Sequence, residues 1–241
     1  MSQRKQWPYC ISRRELLLLL PVMVLLPDTI RARDRLPGSI EWDSFLAQLK
    51  QLADAVARDK IDHVLTARRG MKFLQHLNID TTEFEIAVNE SYETGNQYWM
   101  WQRMVKQARI NGGILNIERG RLVPLHDHPG ATGMLRIISG ETEVWQFDRV
   151  ASSTGPDGKK VDELTRVLHR TLKPGDTAVL TPDKGNIHAL RAVSEQCSML
   201  DFFIPPYKRS QRSWYEPIDT NWFNSEKITC RSIPQHEYAK A

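Results

Sequence analysis

The sequence predicts a mainly β fold, a barrel or sandwich carrying a helical cap on its N-terminal side. After Gly95 the chain breaks into short β-rich runs separated by turn residues, as an all-β barrel or sandwich requires. From Ile40 to about Tyr92 the apolar residues recur instead with helical spacing. The 241 residues include seven tryptophans and are 41% hydrophobic, which suits one well-cored domain with additions and excludes a disordered chain.

In the helical stretch, Phe45, Leu49, Leu52, Ala53 and Val56 fall on one face of an amphipathic helix. A second helical run, from Val64 and Leu65 through Phe73 and Leu74 to Leu77, is expected to break near Gly70. His63 and His76 have no metal-site spacing around them and are expected as surface or structural histidines. The strand candidates are 114–117, 133–139, 143–147, 167–172, 177–181 and 199–204, with turns at Gly140 and Pro174-Gly175-Asp176. The polar stretch 151–163 is expected as a long hairpin loop, Arg103 as a solvated strand-edge charge, and His169 as a strand residue. The organisation that follows is a segment 1–38, a helical cap 39–95, a barrel 96–217 and a C-terminal tail 218–241 packing on the barrel. Trp214 and Tyr215 are too large and apolar to stay exposed and are expected near the barrel mouth.

The N-terminus reads as an address. Ser12-Arg13-Arg14-Glu15-Leu16-Leu17 precedes a short apolar run, 16–26, in the manner of a twin-arginine export signal. A periplasmic or exported protein is expected, tethered to the membrane through residues 12–27 if the segment is retained, and cytoplasmic if it is no signal. Residues 1–38 hold seven Lys or Arg and three Asp or Glu, leaving 26 of each in the remainder. A body so balanced has no basic field for nucleic acid. A monomer is expected. Cys10, Cys197 and Cys230 are too few for a disulfide framework, and free thiols are expected over a Cys197–Cys230 bridge.

The chemistry is concentrated in GRLVPLHDHPGATGMLRIISG, residues 120–140. Residues two apart on a strand share a face, so His126 and His128 can present two imidazoles together, with Asp127 pointing the other way. A third histidine, His188, closes a second glycine-punctuated stretch, GDTAVLTPDKGNIH. Three imidazoles of this kind suit one metal ion with open coordination positions. The two stretches fit the first and second motifs of the cupin family, which implies a single double-stranded β-helix, or jelly-roll, barrel. Many cupins add a glutamate four or five residues after the second histidine. Here Thr132 and Gly133 stand there, so the ion would keep its full charge and accept an anionic ligand such as a thiolate. Iron(II) is the natural candidate; zinc, nickel and manganese also accept such donors.

Four segments carry a closer resemblance: PLHDHPG (124–130), SGETEVWQFD (139–148), LTPDKGNIHAL (180–190) and LDFFIPPY (200–207). Over roughly residues 97–217 the chain resembles the cysteamine dioxygenase and plant cysteine oxidase group of thiol dioxygenases. The resemblance implies a non-haem iron(II) enzyme adding both atoms of O2 to a thiol to give a sulfinic acid. The substrate would be cysteamine, cysteine or an N-terminal cysteine. His126, His128 and His188 match the iron ligands; Asp201 and Tyr207 match active-site residues. A metal cupin of other chemistry and a non-catalytic binding cupin are the alternatives.

Overall fold

The computed structural model of the chain describes residues 38–93, 100–207 and 211–238. The expected signal or tether over 12–27 and Cys10 lie outside these residues. Among those described, no helix is long and apolar enough to cross a membrane.

The described residues begin with three helices: α1 (Trp42–Val56), α2 (His63–His76) and α3 (Thr82–Asn89). The Asp62 carboxylate accepts from Leu65 N–H at 2.7 Å and the Thr81 hydroxyl from Phe84 N–H at 3.1 Å, so two of the three starts are capped by side chains. Helix α1 buries Phe45, Leu49, Leu52 and Ala53 on one stripe. Helix α2 does not break at Gly70 but runs straight through it. The glycine serves packing: a Cβ there would collide with the Met134 thioether, so its absence lets the helix lie close on the sheet.

Among the described residues twelve strands follow, and they form two sheets. The first sheet orders β1 (Tyr92–Glu93), β2 (Met100–Gln107), β3 (Ile110–Glu118), β10 (Gln196–Ile204), β5 (Thr132–Ser139) and β8 (Thr177–Leu180). The second closes on itself through β11 (Ser213–Pro217), β12 (Lys227–Pro234), β7 (Lys160–Leu172), β6 (Thr142–Thr154), β9 (Ile187–Ala192) and β4 (Leu122–His126). A short helix α4 (Gln235–Tyr238) ends the described chain. The fold is thus mainly β, with N-terminal helices.

Alternation along the strands assigns each face. On β10, Leu200, Phe202 and Ile204 point out to the helices, where they join Phe45, Leu49 and Leu74 in one core. Met199 and Phe203, on the opposite face, meet Val144, Leu172 and Leu190 of the second sheet. Arg136 of β5 donates to the carbonyls of Leu74 and Leu77 at 2.9 and 2.6 Å. A cation there bonds the terminal carbonyls of α2 and fixes that helix to the sheet.

Two expectations change. The stretch 151–163 is not a loop: β6 and β7 extend to Thr154 and from Lys160, pairing throughout, and only 155–159 turns. The β6 half of this ribbon is exposed from Arg149 to Thr154, and the one side chain the β7 half buries there is the polar Asp162, so no hydrophobic alternation marks it and its sequence reads as polar loop. Segment 218–241 likewise is more than a packing tail. It supplies β12, which lies between β11 and β7 and buries Ile228 and Cys230.

Candidate metal centre

His126 ends β4, and a β-bulge places it. The register between β4 and β9 shifts between Val123 and His126, so the extra residue turns His126 onto the inner face that Val123 also occupies. Pro124 stands inside the bulge, where a residue without an N–H is tolerated. Its carbonyl accepts from His126 Nδ1 at 2.7 Å, which leaves the Nε2 lone pair directed inward. His188 is the direct cross-strand partner of His126. His128 lies past the strand end rather than on it, and Asn186 holds its backbone: the side-chain oxygen accepts from His128 N–H at 2.8 Å and the amide donates to His128 C=O at 3.2 Å.

The three Nε2 atoms converge. His128 and His188 approach to 3.0 Å and His188 and His126 to 3.2 Å; one donor atom from each lies within 4.8 Å of the others. All three side chains are buried. Burial, with the positive Arg212 nearby, holds each imidazole below its ordinary range, His188 at about 3; neighbouring histidines add to the effect at His126 and His128. Hydrogen bonds among neutral imidazoles leave the arrangement incomplete: each imidazole carries a single N–H, and Nδ1 of His128 and of His188 has no hydrogen-bond partner. A cation among them resolves the arrangement. Two nitrogens each about 2.1 Å from an ion and at right angles lie about 3.0 Å apart, which the observed spacings fit.

A cavity of about 400 Å³ opens onto the cluster and is lined also by Trp101, Arg103, Asp201, Phe203, Tyr207 and Arg212. Asp201 shares the inner face of β10 with Met199 and Phe203. Burial pushes its carboxyl up to about 8, against the pull of Arg212. The Tyr207 ring meets His128 edge-on at 4.6 Å, and its hydroxyl accepts from Arg212. Trp214, paired with His126 through β11, packs on that imidazole at 5.1 Å. Asp127 does point away: it accepts from Ser213 N–H at 2.7 Å and Tyr215 O–H at 2.8 Å, pinning β11 to the first motif.

Arg103 is not a solvated edge charge. It lies two residues from the inward Trp101 and ahead of a bulge, between Arg103 and Val105, that turns the strand outward, so it lines the cavity half-buried. The other histidines stand apart from the cluster. His63 bonds Thr132 Oγ1 at 2.8 Å, His76 the Lys72 carbonyl at 2.8 Å and His169 Glu143 at 2.9 Å, while His236 is exposed beside Glu237. Cys197 and Cys230 are buried free thiols. Asn186 and Arg212 were not singled out by the sequence. Asn186 sits inside the second motif, but Arg212 lies in a polar segment whose only signal is the tryptophan two residues on.

Two expected results follow. Asn186→Ala should weaken metal binding by about 10- to 100-fold without unfolding the barrel, because it frees the His128 backbone; chelator competition measures this, and unchanged affinity would remove the role. In metal-free protein, stability should fall in acid. The histidines titrate below their ordinary 6.5 when folded, so below that pH the unfolded chain binds more protons, and stability drops as pH falls from 6.5 toward about 3. Asp201, raised from 3.8 to about 8, acts oppositely, favouring the fold as pH falls through that window. Three groups outweigh one, so the melting temperature should be lower at pH 4 than at pH 7; a flat or inverted profile would contradict the buried, neutral histidines.

The PCO_ADO family model matches residues 71–237. The chain is 29% identical over 112 residues to 2-aminoethanethiol dioxygenase of Mus musculus, covering 39% of this chain and 44% of that one. It is 30% identical over 96 residues to plant cysteine oxidase 1 of Arabidopsis thaliana, covering 39% and 32%. The chain thus spans less than half the length of these two relatives. Among solved structures, KdgF from Halomonas sp. superposes with a TM-score of 0.38 at 16% identity, over 50% of this chain and 91% of that one. Since the family model covers well over half of the sequence and includes all three histidines and Asp201, the chain belongs to the PCO_ADO family, the cysteamine dioxygenase and plant cysteine oxidase group that its motifs resemble.

Proposed function

We propose that the protein is a non-haem iron(II) thiol dioxygenase that converts a thiol and O2 into a sulfinic acid. The observation that carries this reading is the convergence of three buried imidazoles on one point of a cavity, with no carboxylate among the described residues joining them. His126, His128 and His188 would hold the ion. Bound there by three neutral donors, iron(II) supplies a site where a thiol ionises readily and O2 is activated beside it. The balance is RSH + O2 → RSO2H: sulfur gives up four electrons, both oxygen atoms end on sulfur, and no external reductant is needed.

The chain's own groups prepare the substrate. Phe203 and Trp101 present apolar walls that exclude water from the reacting sulfur, with the Phe203 ring stacked 4.5 Å from His128. Asp201 faces the same space, and its raised range overlaps that of a thiol, near 8.5. It therefore takes the thiol proton, or binds a substrate amine, at little cost. Tyr207, braced by Arg212, orients the substrate with its hydroxyl.

The test is oxygen uptake by the full chain, reconstituted with iron under anaerobic conditions, against cysteamine, cysteine, 3-mercaptopropionate and a peptide beginning with cysteine. Uptake matched by sulfinate in the mass spectrum supports the reading. A fully iron-loaded protein that consumes no oxygen with any of the four would overturn it.

A further inference from the structure

Segment 139–148, one of the four that carry the family resemblance, ends on a residue that the cavity does not use. Asp148 is half-buried on β6 and does not line the cavity. The pairing of β6 with β9 stops one residue before it, at Phe147 and Ile187. Beyond that point a side chain continues the attachment. Asp148 Oδ1 accepts from Gly185 N–H at 2.6 Å, and an ionised acceptor makes such a bond roughly twice as strong as a neutral one. Gln146, two residues back on the same face of β6, is anchored by its own bond to the Val179 carbonyl at 2.8 Å, and a Cβ on Gly185 would press against it at 3.2 Å.

Gly185 has φ +65°, a left-handed conformation in which a residue with a side chain is strained. The backbone bonds of its turn, between Thr181 and Lys184 at 2.9 and 3.3 Å, are internal to that turn. The Asp148 carboxylate ties the turn to β6. Directly after Gly185 comes Asn186, which bonds the Thr181 carbonyl at 3.0 Å and clamps the backbone of His128 on both sides, at 2.8 and 3.2 Å. A chain of contacts thus runs from β6 through Gly185 and Asn186 to one of the three donors, wholly outside the cavity.

We propose that Asp148 is a positioning residue for the metal centre, acting on His128 through Gly185 and Asn186. This rests on the reading of the three histidines as one metal site, and it extends the residues that set that site to a strand contributing none of its donors.

The experiment is zinc(II) binding by the full chain, read by chelator competition in the wild type, Asp148→Ala, Asn186→Ala and the double variant. Asp148→Ala should weaken zinc by about tenfold, the lower end of the range for Asn186→Ala. Asp148→Asn keeps an acceptor oxygen and should stay within about threefold of the wild type. In the Asn186→Ala background, Asp148→Ala should cost less than about threefold, because both act on His128 along one path. Asp176 is the control, a carboxylate that accepts from Lys173 N–H at 2.9 Å in another turn; Asp176→Ala should leave zinc affinity unchanged. Wild-type affinity in Asp148→Ala would overturn the proposal, as would a loss equal in both backgrounds or an equal loss in Asp176→Ala. If Asp148→Ala does not fold, Asp148→Ser, whose hydroxyl falls short of Gly185, is carried through the same comparisons. A wild type that binds no zinc contradicts the metal centre and the proposal with it. Zinc binding needs neither thiol nor O2, so a protein that behaves as expected here but oxidises no thiol contradicts the dioxygenase reading and leaves the Asp148 assignment standing.

Discussion

Replacing His188 with alanine is expected to abolish metal retention and turnover together. His188 is the middle member of the cluster, its Nε2 standing 3.0 Å from that of His128 and 3.2 Å from that of His126. Without it the two remaining imidazoles come from one short segment, and no carboxylate among the described residues takes its place. Loss of a donor atom should exceed the roughly 10- to 100-fold cost of losing a neighbour that merely orients one. The barrel should survive, because the substitution also removes a buried Nδ1 that has no partner. Elemental analysis beside a melting curve separates the two effects. Stoichiometric metal in a folded His188→Ala protein would dismiss the three-histidine centre.

Asp201→Asn should behave in the opposite way, keeping its metal and losing rate. The substitution preserves shape on the inner face of β10 and leaves all three histidines in place, but removes the carboxyl proposed to exchange a proton within the cavity. General acid–base groups contribute about 10²- to 10⁴-fold, so turnover should fall by at least about 10²-fold at unchanged metal content. Wild-type turnover by this variant would show that the carboxyl is only a buried strand residue.

Much of this was legible in the sequence because local rules and tertiary demands agree. The stripe of Phe45, Leu49, Leu52 and Ala53 predicts the buried face of α1, and that same face meets the sheet. The spacing of His126, His128 and His188 marks three residues whose side chains come together. The illegible parts are those where one residue alters direction. Periodicity assigns His126 and His128 to one strand face, whereas a bulge turns His126 and an asparagine side chain holds His128 beyond the strand end. Gly70 reads as a helix breaker because propensity carries no information about the sheet packed against it. Arg212 enters the site only through the return of β11 to β4, an encounter between segments 86 to 88 residues apart in their Asp127 contacts, and no local pattern reports that.

The pairing of His126 with His188 across β4 and β9 also bears on how the chain acquires its native state. Donor atoms contributed by strands 62 residues apart in sequence are brought together only when those strands are correctly registered. A slip of one residue would send His188 to the opposite face. An ion that binds the aligned state alone acts as a selective ligand for correct pairing, adding about 2.7 kcal/mol of apparent stability when free metal stands at about 100 times its dissociation constant. Metal supply would then govern the amount of folded protein as well as its activity, and the two should rise along the same titration curve.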